Sequence, residues 1–255
     1  MIPRRVQLFA LTLLYLEASA TAHAEPCRSE SFRGVSYIVC SVDPTKDELR
    51  IYWRGGDDKP YRTFAALAAD LEAKGKSLRF AMNGGMYHED FRPVGLYIED
   101  GRELTSANSA KLTGAPGQLP NFYKRPNGVF YIGDAEVGIV ETERFLAGRP
   151  KAKFATQSGP MLVIDGAIHP AFIVDSNDRK PRNGVGVSSP TEVHFVITKG
   201  WVSFYEFARF FRDGLGCRNA LFLDGGEAPG LYAPELGRND SPGHGGYGPI
   251  ITVVE

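Results

Sequence analysis

Three stretches, Gly95-Leu96-Tyr97-Ile98-Glu99-Asp100-Gly101, Gly128-Val129-Phe130-Tyr131-Ile132-Gly133-Asp134 and Pro160-Met161-Leu162-Val163-Ile164-Asp165-Gly166, follow one plan. Each is a short, apolar, β-rich run that ends in a pairing of glycine with aspartate. Asp-Gly at a strand exit suits the positive backbone angles of a type I′ hairpin, so the chain should turn straight back antiparallel. That predicts an α+β fold, a large mixed or mainly antiparallel sheet with a few packed helices, rather than repeating βαβ units. The spacing of the runs is too irregular for a propeller or solenoid.

Further short β-rich runs flank these three. Val35–Cys40, Glu48–Trp53, Leu78–Met82, Glu192–Thr198, Ala220–Leu223 and Ile250–Val253 are each bounded by Gly, Pro, Asp or Asn. Two helices are marked by their ends. One runs from an N-cap at Thr63 to Lys74 and stops at Gly75; the other opens with the capping box Ser203-x-x-Glu206, carries Phe204, Phe207 and Phe211, and stops at Gly214. A shorter turn is expected over Thr142–Ala147. No linker or low-complexity stretch divides the chain, so residues 25–255 read as one domain.

Residues 1–24 carry the pattern of a cleavable export signal. Arg4-Arg5 precedes an apolar run of roughly 11 residues, short of the roughly 20 needed for a permanent span, and Ala22-His23-Ala24 forms the cleavage site. A periplasmic or secreted location and no stable membrane anchor follow as expectations. In that oxidising setting Cys27 and Cys40, both beside the first strand region, are the expected disulfide, with pairings to Cys217 left open. A formal net charge of −1 gives no reason to expect a nucleic-acid or anionic-membrane partner. No spacing of His and Cys suggests a metal site, and no cofactor is called for, although a divalent cation held by aspartates stays open. Oligomeric state is not readable.

Polar residues paired with glycine recur beside the strands, at Asn83-Gly84-Gly85, Asn127-Gly128, Ser158-Gly159, Asn183-Gly184 and Asp224-Gly225-Gly226. Glycine permits close backbone approach, while the short polar neighbour offers a hydrogen-bonding head. Gathered at one rim, such pairs would line a polar pocket.

The blocks Ala81-Met82-Asn83-Gly84-Gly85-Met86-Tyr87, Gln157-Ser158-Gly159-Pro160-Met161-Leu162, Arg182-Asn183-Gly184-Val185-Gly186-Val187 and Leu223-Asp224-Gly225-Gly226 resemble, in content and order, the phosphodiester glycosidases. The likeness runs from about Leu78 to the C-terminus and is to the short, exported bacterial branch of that family. It implies hydrolysis of a sugar-1-phosphodiester, with a carbohydrate phosphodiester as substrate. One departure is Glu227-Ala228-Pro229 after Asp-Gly-Gly, where the best-known animal member has glycine then serine; this bears on the substrate more than on the fold.

Glycoside cleavage ordinarily uses two carboxyl groups. Here the leaving group departs as a stable phosphate anion, so a cation beside it matters more than an acid. Arg182 is the candidate cation, with Arg179 assisting. Asp224, just beyond an apolar strand, is the first candidate carboxylate and Glu227 the second. Asp175 and Asp178 are weaker partners. Asn83, Gln157, Ser158 and Asn183, with backbone N–H groups at Gly84, Gly85, Gly159, Gly225 and Gly226, are expected to hold sugar hydroxyls or phosphate oxygens. His244, in a glycine-rich loop, is a further binding candidate. A non-catalytic glycan- or phosphate-binding module would need the same arginine and glycine loops but no carboxylate.

Overall fold

The computed structural model describes residues 26–114, 118–134 and 136–255; the expected export signal lies outside them. In chain order the strands and helices are β1 (Cys27–Phe32), β2 (Val35–Val42), β3 (Glu48–Tyr52), α1 (Phe64–Ala73), β4 (Leu78–Asn83), β5 (Tyr97–Glu99), β6 (Arg102–Thr105), β7 (Gly128–Ile132), β8 (Val137–Glu141), α2 (Thr142–Gly148) and β9 (Phe154–Ser158). Then follow β10 (Met161–Ile164), β11 (Ala167–Ile168), β12 (Arg182–Ser189), β13 (Glu192–Thr198), α3 (Phe204–Arg209), β14 (Asn219–Gly225), β15 (Leu231–Ala233), β16 (Arg238–Asn239) and β17 (Ile250–Val254).

The fold is α+β, and its strands divide among three sheets instead of joining into one. Their spatial orders are β1-β2-β13-β12-β14-β10-β11, β16-β15-β4-β17-β3 and β6-β5-β9-β7-β8. Neighbouring strands are antiparallel throughout. Both Asp-Gly turns have the expected backbone, with positive φ at Asp100 (48°) and Gly101 (75°) and at Asp165 (49°) and Gly166 (87°). Gly133-Asp134 lies in the longer turn between the paired residues Ile132 and Val137, and the chain still returns antiparallel.

One core is shared by all three sheets. It takes Ile38 and Leu223 from the first, Phe80 and Ile251 from the second, and Phe130 and Phe154 from the third, all buried. The outer face of each sheet carries a helix. Phe64, Leu67 and Leu71 of α1 cover the second sheet, Phe145 of α2 the third, and Phe204, Phe207 and Ala208 of α3 the first. Thr63 caps α1 by accepting from Ala66 N, and Ser203 with Glu206 completes the capping box of α3. The second helix does not stay α-helical to its expected end: after Arg209 it widens into a π turn over Phe210–Gly214 that stacks Phe210 on Tyr37 at 4.0 Å.

Cys27 and Cys40 sit directly opposite on β1 and β2 and are disulfide-bonded, and Cys217 is free and buried. Among the described residues no helix is long and apolar enough to cross a membrane.

Candidate active site

The site is built where β12 begins and its antiparallel neighbour β14 ends. From Val187 to Gly184 their pairing is regular, and then β14 carries one extra residue: Gly184 faces Phe222, yet Asn183 faces Asp224. Strict alternation along β14 would turn Asp224 to the side of Ala220 and Phe222, which pack beneath α3. The β-bulge at Leu223 instead aligns Asp224 with Asn183, on the face that looks into the shared core.

Asn183 is the hub of what gathers there. Its Oδ1 accepts from Asp224 N at 2.8 Å, and its Nδ2 donates to Asn83 Oδ1 at 2.7 Å. Asn83 Oδ1 also accepts from Gly230 N at 2.9 Å, which draws the chain after the Asp-Gly-Gly turn back over the site. Ser158 at the end of β9 donates through Oγ to Leu223 O, the carbonyl of the bulge, at 3.0 Å. Thr156, two residues earlier on the same face of β9, donates to Gly84 O at 2.9 Å. Asn83, Ser158, Asn183 and Asp224 therefore meet, one from each of four strands in all three sheets. Among the described residues Asn83 Nδ2 is a buried donor with no acceptor, the arrangement a ligand oxygen would complete.

The glycines act differently from the expectation of open ligand approach. A Cβ on Gly84 would stand 2.9 Å from Ile251 Cγ1, and one on Gly159 would stand 2.5 Å from Asn127 Cβ, so these two let protein strands close on each other. Gly226 has open space around it and a positive φ of 74°, which makes it the turn glycine that frees the chain beyond Asp224.

Among the described residues Asp224 has no basic side chain as partner. Burial pushes its pKa from 3.8 up to about 7, against the opposing pull of a 2.8 Å hydrogen bond from Gly225 N to Oδ1. A carboxyl poised there can take and return a proton at neutral pH. Tyr87, on the loop after β4, is held protonated first by burial and then by the charge of Asp224. Its hydroxyl donates to Gly246 O at 2.7 Å and lies 3.0 Å from Nδ1 of His244, so exposed His244 reaches the site through Tyr87.

Other candidates stand apart. Arg182 is adjacent to Asn183 and so points to the opposite face, where it is 1% exposed. Its Nε donates to Val202 O and its Nη2 to Asp178 O, with the guanidinium 3.7 Å from the centre of the Phe204 ring. Arg179 is ion-paired at 2.8 Å with Glu206 of the α3 capping box. Gln157 alternates away from Ser158: it binds Leu96 N, Asn108 N, Asn108 O and Thr142 Oγ1 and so fastens the loop around Asn108 to the outer face of the third sheet. Glu227 is exposed on the turn after Gly226. Sequence reasoning gave no role to Tyr87, Thr156 or Gly230. Tyr87 was signalled only by its place in the Asn83-Gly84-Gly85 block, and Gly230 N by nothing short of the fold. Among the described residues no three His, Cys, Asp or Glu side chains stand close enough to hold a metal ion.

The fold is an antiparallel α+β domain with a buried carboxyl of raised proton affinity at a strand-end bulge. The chain belongs to the phosphodiester glycosidase family, whose model matches residues 76–252. It is 36% identical over 216 residues to Uncharacterized protein YigE of Escherichia coli (strain K12), spanning 85% of this chain and 80% of that protein. Its fold is similar to the catalytic domain of zebrafish N-acetylglucosamine-1-phosphodiester alpha-N-acetylglucosaminidase, auto-inhibited by its pro-peptide, with a TM-score of 0.60, 16% identity, and coverage of 89% of this chain and 81% of that one. A putative exported protein from Burkholderia pseudomallei K96243 is similar with a TM-score of 0.53 at 14% identity, covering 86% and 74%. At these identities the solved structures speak for the fold.

Proposed function

We propose that this protein is an exported hydrolase that cleaves sugar-1-phosphodiester linkages in envelope or extracellular glycans, with Asp224 as its catalytic carboxylate. The carrying observation is Asp224 itself: a carboxyl with its pKa near 7, oriented by Asn183 and a bulge, in a phosphodiester glycosidase domain. In this reading a water oxygen forms the new bond to the anomeric carbon while Asp224 takes the water proton. The bond from that carbon to the phosphate oxygen breaks, and its electron pair leaves on a phosphate monoester that needs no proton from the protein. In this reading Asn83 Nδ2, a buried donor with no acceptor, and the hydroxyl of Tyr87 hold the sugar. The Cys27–Cys40 disulfide and the pattern of residues 1–24 support work outside the cytoplasm, in the periplasm or beyond.

Asp224→Asn tests the reading directly. With an aryl sugar-1-phosphodiester as substrate, turnover should fall by about 10²–10⁴-fold while the fold is kept. Turnover within a few-fold of the wild type would remove Asp224 from the chemistry. Binding of sugar phosphates by a wild type that cleaves none of them would favour a non-catalytic binding module.

A further inference from the structure

On the opposite side of the first sheet from Asp224 lies a cavity of about 370 Å³ whose walls include Lys124, Phe172, Ile173, Asp178 and Phe204. That volume falls within the range of small-molecule sites, and the mixture of aromatic walls with few polar groups is typical of them. Its aromatic wall is a continuous stack, with His169 and Phe172 rings 4.7 Å apart and Phe172 and Phe204 rings 5.0 Å apart, all nearly parallel. The imidazole is fixed and neutral: Nε2 faces Arg125 O at 2.8 Å, Nδ1 accepts from Ala171 N, and burial lowers its pKa.

The charges do not cancel. Asp178 is shared with Lys180 at 3.4 Å, and Arg125 is paired with Glu143 at 3.1 Å. Lys124 has no carboxylate within ion-pair distance among the described residues; its Nζ donates to Asn121 Oδ1 and lies 5.2 Å from the Phe204 ring centre. Arg182 stands behind that ring, its nearest carboxylate oxygen 4.0 Å away on Asp178. Burial first, and then the charges of Arg182 and Lys180, disfavour the charge on Lys124, and Asp178, beyond ion-pair distance, offsets only part of that, so an anion arriving there would relieve what remains. At the mouth, Ile173 is 71% exposed and Val174 54% exposed, two aliphatic side chains in succession facing water.

We infer that this cavity is a second ligand site, separate from the Asp224 site, that takes the phosphate end of an apolar molecule: the phosphate against Lys124, the chain along Phe172 and out over Ile173. The juxtaposition of an unpaired half-buried ammonium, an aromatic wall and an exposed aliphatic rim fits an amphiphilic phosphate. A free phosphate lacks the apolar part, and a free alcohol lacks the charge.

Calorimetric titration of the mature protein with hexyl phosphate, inorganic phosphate and hexanol tests this. Hexyl phosphate should bind at least about tenfold more tightly than inorganic phosphate, because burying only two or three methylenes contributes that much, and about tenfold more tightly than hexanol, which keeps the chain but lacks the charge that meets Lys124. Lys124→Gln and Ile173→Asp, both at side chains outside the core, should each weaken hexyl phosphate by about tenfold. Asp224→Asn should bind it as the wild type does, since that carboxyl is on the other face. Equal affinity for hexyl phosphate and inorganic phosphate, or unchanged affinity in both pocket variants, overturns the proposal; so does a change of affinity in either direction beyond about threefold in Asp224→Asn, which would merge the two sites. These outcomes are independent of whether any sugar phosphodiester is cleaved.

Discussion

Asn183 and Arg182 are neighbours in sequence and come from one motif, yet they serve opposite faces of one sheet. Asn183 looks inward and bonds through its amide to Asn83 and to the backbone of Asp224, in a cluster that holds no basic side chain among the described residues. Arg182 looks outward, under α3, in a layer of phenylalanine rings with cations nearby. The inner cluster leaves its carboxylate unneutralised and so raises its proton affinity; the outer layer leaves its guanidinium poorly neutralised, and burial lowers the pKa of Arg182 to about 10. A motif that reads as one functional unit is, in the fold, two half-sites of opposite electrostatic need.

Breaking the inner half should have the larger effect. Asn183→Leu leaves Asp224 N without its acceptor and takes from Asn83 Oδ1 one of its two donors, and chemical denaturation should show a loss of about 2–4 kcal/mol. The outer half should tolerate more: Arg182→Met removes a charge that burial already disfavours and keeps the side-chain volume, so the change should stay within about 1 kcal/mol in either direction. A larger loss in Arg182→Met than in Asn183→Leu would reverse the comparison.

Asp224 sharpens it further through its pH dependence. With a folded pKa near 7 against an ordinary 3.8, the folded state binds more protons than the unfolded state between those values. Stability contributed by this group is therefore complete below about pH 4, falls as pH rises toward about 7, and is flat above. Asp224→Asn cannot ionise, so it should match the wild type near pH 4 and exceed it by about 1–3 kcal/mol above pH 7. Thermal melts at the two pH values read the difference. A variant less stable than the wild type at high pH would show that the carboxylate is not held at a cost.

Much of the framework was legible in the sequence because it depends on local rules. The Asp-Gly turns at Asp100 and Asp165 demand positive φ, the caps at Thr63 and Ser203 satisfy orphan helix N–H groups, and Cys27 lies opposite Cys40 because β1 and β2 form a hairpin. The gathering of Asn83, Ser158, Asn183 and Asp224 was also foreshadowed, since each lies beside glycine at one end or the other of a strand. The separation of Arg182 from that group follows from period-two alternation, and the motif conceals it by listing the two residues side by side. Gln157 misled in the same way, one step from Ser158 and facing outward. The bulge at Leu223 carries no local signal at all: it shows only in the register of β14 against β12, and it decides where Asp224 points. Lys124 escaped notice because its significance lies in the absence of a counter-charge, which only packing reveals.

The most direct test of the central claim is the pH dependence of kcat/KM for cleavage of an aryl sugar-1-phosphodiester by the mature wild-type protein. If Asp224 must be ionised to take the water proton, the rate should rise tenfold per unit at acid pH, bend near pH 7 and level off above it. The residual rate of Asp224→Asn should lack that bend. A wild-type profile flat between about pH 5.5 and 8.5, or a bend that survives in Asp224→Asn, would contradict the assignment of Asp224 as the catalytic carboxylate.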